Sequence, residues 1–147
     1  MAFKVSTGLR NHLMAGDDLA AGLNGGVVRM YSGAVPATAD AAIGSAVLMS
    51  TVSVNGTGTG LTFDPTATNG IIAKATDEVW LGTLVAGGTY SFYRFSSIAD
   101  AGGESTTEKR VQGIIGLATG DLLVSTLVKS IGDEQRIDSY FIGMPSE

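Results

Sequence analysis

A chain of 147 residues, 44% hydrophobic and only 16% charged, carries ample material for one core, while its surface must lean on Ser, Thr, Gly and Asn rather than on charge. A formal net charge of -5 with nine scattered basic residues argues against a nucleic-acid partner, whose phosphates demand clustered Lys and Arg. The absence of cysteine excludes a disulfide framework and thiolate metal sites. No apolar run approaches the roughly 20 residues that cross a bilayer, and residues 1–15 lack the continuous apolar stretch of a secretory signal. Neither a membrane association nor export is therefore expected. A surface poor in charge is tolerable when neighbouring subunits cover it, which raises the expectation of an assembly; a hydroxyl-rich monomer is the alternative.

The first 24 residues differ from the rest. Leu9, Leu13 and Met14 recur at helical spacing, Leu19 and Leu23 continue it, and Ser6 is suited to cap the first turn. Gly8 and Gly16 disfavour one long helix, and Gly16-Asp17-Asp18 can end one helix and cap the next, so two short helices are predicted. Asn24-Gly25-Gly26 then ends helical structure. This segment, 1–24, reads either as an arm reaching a neighbouring subunit or as a helix closing one end of the β domain.

From residue 25 to 147 the pattern is β. Segments 27–31, 47–54, 60–63, 79–81, 89–95, 111–117, 122–128 and 137–142 are each of strand length and bounded by Gly, Asn, Asp or Pro. In 27–31, Val28 and Met30 are expected to face inward. The stretch 32–45 is rich in Ala, Gly and Pro with Asp40 as its one charge, and reads as a wandering loop that reaches toward a partner or simply lies on the surface. Asn55-Gly56 predicts a turn returning 47–54 onto 60–63, and 71–73 a further short strand. The run 89–95 places Tyr90, Phe92 and Arg94 on one face and Ser91, Tyr93 and Phe95 on the other. Those rings suit core and subunit packing better than ligand stacking, given the acidic balance. Thr119-Gly120-Asp121 predicts a turn that makes 122–128 the antiparallel partner of 111–117. The fold class expected is all-β, an antiparallel β-sandwich with a short N-terminal helical segment; long connections favour a sandwich over an up-and-down barrel.

Catalytic patterns fare poorly. His12 is the sole histidine and lies on the predicted helix, so a structural role outranks a triad. Asp17-Asp18, Asp133-Glu134 and the pair Glu104 and Glu108 lack the alternating spacing of a calcium loop. Gly56-Thr57-Gly58-Thr59-Gly60 joins two predicted strands and has no lysine, unlike a phosphate-binding loop. No local signal selects a carboxylate pair for glycoside hydrolysis. No catalytic residue, cofactor or metal ligand is expected.

Three stretches together resemble small tailed-bacteriophage virion proteins. They are Gly25-Gly26-Val27-Val28-Arg29-Met30-Tyr31-Ser32-Gly33-Ala34-Val35-Pro36-Ala37-Thr38-Ala39-Asp40, then Gly88-Thr89-Tyr90-Ser91-Phe92-Tyr93-Arg94-Phe95, then Gly120-Asp121-Leu122-Leu123-Val124. The resemblance implies a jelly-roll-like sandwich and a role as a capsid decoration, or cement, protein on the capsid exterior, assembled in the host cytoplasm. Its implied partners are the major capsid protein and further copies of itself, as a dimer or trimer. Interface residues expected on this reading are Phe3, Leu9, Arg10, Leu13, Tyr31, Val35, Trp80, Tyr90 and Tyr93. A tail-fibre or baseplate module presenting Trp80, Tyr90 and Tyr93 to glycans is the alternative. Removal of residues 1–23 is expected to leave a folded β domain that binds particles less well.

Overall fold

The computed structural model describes residues 3–144; the remaining parts of the predicted 1–24 and 25–147 segments, with Pro145, lie outside the described residues. The fold is all-β and antiparallel in the main, with a short helical segment near its start. In chain order the elements are β1 (Lys4–Val5), α1 (Thr7–Met14), α2 (Leu19–Leu23), β2 (Gly26–Ser32), β3 (Val47–Val54), β4 (Ile71–Ala73), β5 (Trp80–Thr83) and β6 (Gly88–Thr89). They continue with β7 (Phe92–Ser97), β8 (Val111–Gly116), β9 (Leu122–Leu123), β10 (Val128–Lys129), β11 (Glu134–Ile137) and β12 (Phe141–Gly143). Eight strands form one sheet in the order β1-β8-β7-β2-β3-β5-β11, with β9 beside β8; β10 pairs β6 and β12 pairs β4 as two small sheets. The jelly-roll arrangement of two four-stranded sheets is not what this strand path traces.

The helical segment forms for the reasons its sequence contains. The Ser6 hydroxyl accepts the Leu9 N–H at 3.1 Å and the Asp18 carboxylate accepts the Ala21 N–H at 2.6 Å, each capping one helix. Leu9 and Leu23 pack into the central core, with Leu13 and Leu19 half-buried against it. β1 pairs β8 antiparallel, and the Ser6 hydroxyl donates to the Glu108 carbonyl while accepting the Arg110 N–H. The segment is thus stitched to the sheet at its start.

Around β2 and β7 both faces of the main sheet are covered. Val28 and Met30 of β2 enter the hydrophobic core as expected, beside Val52, Trp80, Tyr93, Phe95 and Val111. The opposite face is buried too: Val27 is 2% and Tyr31 6% exposed. Tyr31 stacks on Phe92 with ring centroids 4.9 Å apart, under a cover of irregular chain. The alternation of β2 identified one buried face and gave no sign of the second, because the covering layer is loop and has no periodicity that betrays it.

Four strand assignments need correction. The segment 122–128 does not return antiparallel on β8: only β9 forms there, and it runs parallel to β8, while Val128 and Lys129 pair with β6. The cause is Asp121, whose carboxylate accepts the Ile114 N–H and whose own N–H donates to the Ile114 carbonyl, both at 2.9 Å. Asp121 thereby occupies the groups an antiparallel neighbour would need. Segment 60–63 makes no hairpin with β3 beyond a bridge from Val54 to Thr59; Leu61 instead exchanges bonds of 2.8 Å with Gly25 and Gly26 at the start of β2. The run 89–95 breaks at Tyr90 and Ser91, whose N–H groups go to Leu127 and Tyr31. Tyr90 consequently joins Tyr93 in the core rather than sharing a face with Phe92 and Arg94. Finally, 137–142 divides into the end of β11 and the first two residues of β12, on different sheets.

Candidate functional site: a clasped loop and an open cleft

The loop of residues 33–46 has little regular structure, yet its backbone is held closely. On the loop face of the sheet, β-pairing sets Lys4 opposite Gln112, Gln112 opposite Arg94, and Arg94 opposite Arg29. Three side chains of this row donate into the loop: Gln112 Nε2 to the Pro36 carbonyl at 2.9 Å, Lys4 Nζ to Ala37 at 2.7 Å, and Arg94 Nη2 to Thr38 and Ala41 at 3.3 and 2.6 Å. Arg110, just before β8, adds Nη1 to Ala39 at 3.1 Å and to Asp40 at 3.4 Å. Every carbonyl from residue 36 to 41 therefore accepts a side-chain donor. Buried irregular backbone requires such partners, and the guanidinium, with five donors in one plane, supplies several at once.

Arg94 and Arg110 are each 1% exposed. Arg110 is balanced by Asp100 through a two-pronged bond, Nε and Nη2 to the two carboxylate oxygens at 2.7 and 2.8 Å. Burial pushes the Asp100 carboxyl up, but the hydrogen bonds from Arg110 and the Gly102 N–H outweigh it and hold it below the ordinary range. Arg94 is anchored by Gln112 at 2.8 Å, and burial, aided by the nearby Arg110 charge, lowers its pKa to about 10. It remains a cation at neutral pH. The Asp40 carboxylate is held low chiefly by the Thr7 hydroxyl, and also by the Thr7 N–H at 2.7 Å, which ties the loop to α1. The exposed residues Ala34, Val35, Ala37 and Thr38 are uncharged, and the half-buried Asp40 is the loop's one charge.

A cleft of about 720 Å³ lies among a different set of residues. Its walls come from β9, from β11 and from the chain that carries Tyr140 and Phe141 into β12. Tyr140 and Tyr93 join hydroxyls at 3.0 Å beneath it, and burial raises the pKa of both phenols. Leu123 and Phe141 stand 55% and 61% exposed. Among the described residues no group of three or more His, Cys, Asp or Glu side chains comes close enough to hold a metal ion, and no helix is long and apolar enough to cross a membrane.

The nine residues expected at an interface are scattered by the fold. Leu9, Tyr31, Trp80, Tyr90 and Tyr93 are buried within the protomer; Leu9, Trp80, Tyr90 and Tyr93 belong to one core cluster. Phe3 and Leu13 are half-buried against that core, Phe3 also lining the cleft. Arg10 is exposed and bonds Thr7 at 2.8 Å, and Val35 is 40% exposed on the clasped loop. The aromatic platform for sugars is thus absent from the surface: Trp80 and Tyr93 are 1% and Tyr90 3% exposed. His12 packs beside Asp17 at 3.4 Å and the Asp18 carbonyl at 3.2 Å, on the helical pair. Sequence reasoning passed over Arg94, Asp100, Arg110 and Gln112, which hold the loop. The available signal was that Arg94 sits within an aromatic-rich strand and Gln112 within an apolar one, where a polar side chain needs a partner.

No family model, curated protein or solved structure matches this chain.

Proposed function

We propose that the protein is a non-enzymatic building block of a tailed-phage virion, a decoration protein that bridges major capsid subunits on the outside of the head. The observation that carries this reading is the loop of residues 33–46. Two buried arginines, a lysine and a glutamine hold six consecutive carbonyls so that an uncharged surface around Val35 is presented in one conformation. A preorganised neutral surface gains affinity because little ordering entropy remains to be lost on contact. The buried guanidinium groups of Arg94 and Arg110 are engaged in holding that loop, a use that fits a contact surface. The resemblance in 25–40, 88–95 and 120–124 points to the same class of protein, and the 25–40 stretch includes this loop. Bridging adds stability only in the assembled shell, where each interface binds the folded state.

The test is recombinant protein added to heads that lack it, followed by density mapping. Many copies on a regular head lattice, with the Val35 loop against the capsid and binding lost in Val35→Asp, would support the reading. Copies confined to the tail, or a bound copy with this loop turned to solvent, would overturn it.

A further inference from the structure

Among the described residues, β11 is a sheet edge with its outer backbone groups unpaired by any strand. The Leu84 N–H donates to the Asp133 carbonyl at 2.8 Å, and an antiparallel ladder repeats every two residues, so Gln135 and Ile137 direct their backbone groups to β5. Glu134 and Arg136 direct theirs outward. Their carbonyls are reached by side chains: Lys129 Nζ lies 3.3 Å from Glu134 O, and Gln135 Nε2 lies 2.6 Å from Arg136 O. Gln135 is only 5% exposed, lines the cleft, and leaves its Oε1 without a hydrogen-bond partner among the described residues. An orphaned buried amide oxygen costs free energy until a donor arrives.

We propose that this edge pairs with the same edge of a second copy, antiparallel and centred on Gln135, so that two sheets join across a two-fold axis. The register follows from charge. Centring on Gln135 sets Glu134 opposite Arg136 of the second copy, and Arg136 opposite its Glu134, two opposite-charge pairs on the solvent face. It also agrees with backbone direction: Glu134 and Arg136 are the residues whose N–H and C=O point outward, and they become the hydrogen-bonded pairs. Gln135 meets Gln135 of the second copy as the closer, non-hydrogen-bonded pair on the inner face, where the amide Nε2 of one can satisfy the orphaned Oε1 of the other. Shifting the register by two residues in either direction loses the symmetric pairing of opposite charges. Lys129 must swing away from the Glu134 carbonyl, which a long flexible side chain does readily. Such isologous contacts are self-complementary by construction.

This deepens the reading of the chain as an assembly unit and rests on it, but its test uses free protein. Sedimentation of native protein, Glu134→Arg, Arg136→Glu and the double exchange decides the matter. Each single reversal sets like charges opposite each other twice, and should weaken the dimer on the order of tenfold; the double exchange should restore it. A native protein that stays monomeric as concentration rises, a dimer indifferent to the single reversals, or a double exchange no better than either single change would overturn the pairing. Amide exchange on unaltered protein gives an independent reading: protection at Glu134 and Arg136 must grow with concentration, and constant exchange there would also overturn it. A chain that fails to dimerise yet still decorates heads would sink this inference alone, whereas a dimer that ignores heads would sink the capsid assignment alone.

Discussion

Asp100 and Arg110 form the most consequential residue pair, because both are buried and each satisfies what the other would leave uncompensated. Removing one partner of a buried ion pair costs about 3–5 kcal/mol, so Asp100→Asn should lower the denaturation midpoint sharply. Equilibrium denaturation compares the variants; an Asn variant within experimental error of native would show the pair to be dispensable. The pH dependence has a defined direction. The Asp100 pKa is lowered on folding from its ordinary 3.8, so its contribution is complete above that value and is lost as pH falls through the lower folded value. Asp40, and Glu78 bonded by Thr62 and Trp80, are lowered in the same sense. Acid titration of stability should therefore show a decline beginning near pH 4 that is shallower in Asp100→Asn; equal slopes would assign the acid lability elsewhere.

Among the elements, the N-terminal helices show how far local pattern can carry an argument. Apolar spacing and the caps Ser6 and Asp18 were readable because both act within a few residues. Whether the segment stood apart or filled the core was not readable, since that depends on Arg110, Glu108 and the edge of β8, over a hundred residues away. Leu9 has no exposed surface, and Gly8 lies against the backbone of Thr107 and Glu108 so closely that a Cβ there would collide. Leu9→Ala should accordingly cost about 2–5 kcal/mol. Loss of residues 1–23 should abolish cooperative unfolding, in contrast to the folded remnant expected from composition. Thermal melts by circular dichroism check both, and a truncated chain with a native-like transition would contradict this packing. The parallel β9 makes the same point: its apolar residues marked a strand, but the side chain of Asp121 chose its direction.

For the whole molecule, the main sheet runs from β1 near the first described residues to β11 near the last, over one core that includes Leu9, Trp80 and Tyr140. Such interleaving leaves no boundary at which part of the structure could open alone, and unfolding should be a single transition. Trp80, the sole tryptophan and 1% exposed, reports on the core, while circular dichroism reports on the sheet. The two should trace superimposable denaturation curves, and separated midpoints would divide the chain into independent units.

The all-β class, the two short helices and the inward side of β2 were determined by the sequence itself, because alternation, caps and spacing are effects of near neighbours. Tertiary structure alone decided that Tyr90, Tyr93 and Trp80 are buried, that irregular chain from 33 to 46 covers the second sheet face, and that Arg94, Arg110 and Gln112 hold it there. Those outcomes depend on which distant backbone carbonyl meets which donor. Strand pairing across the fold sets that geometry, and no periodicity along the chain encodes it.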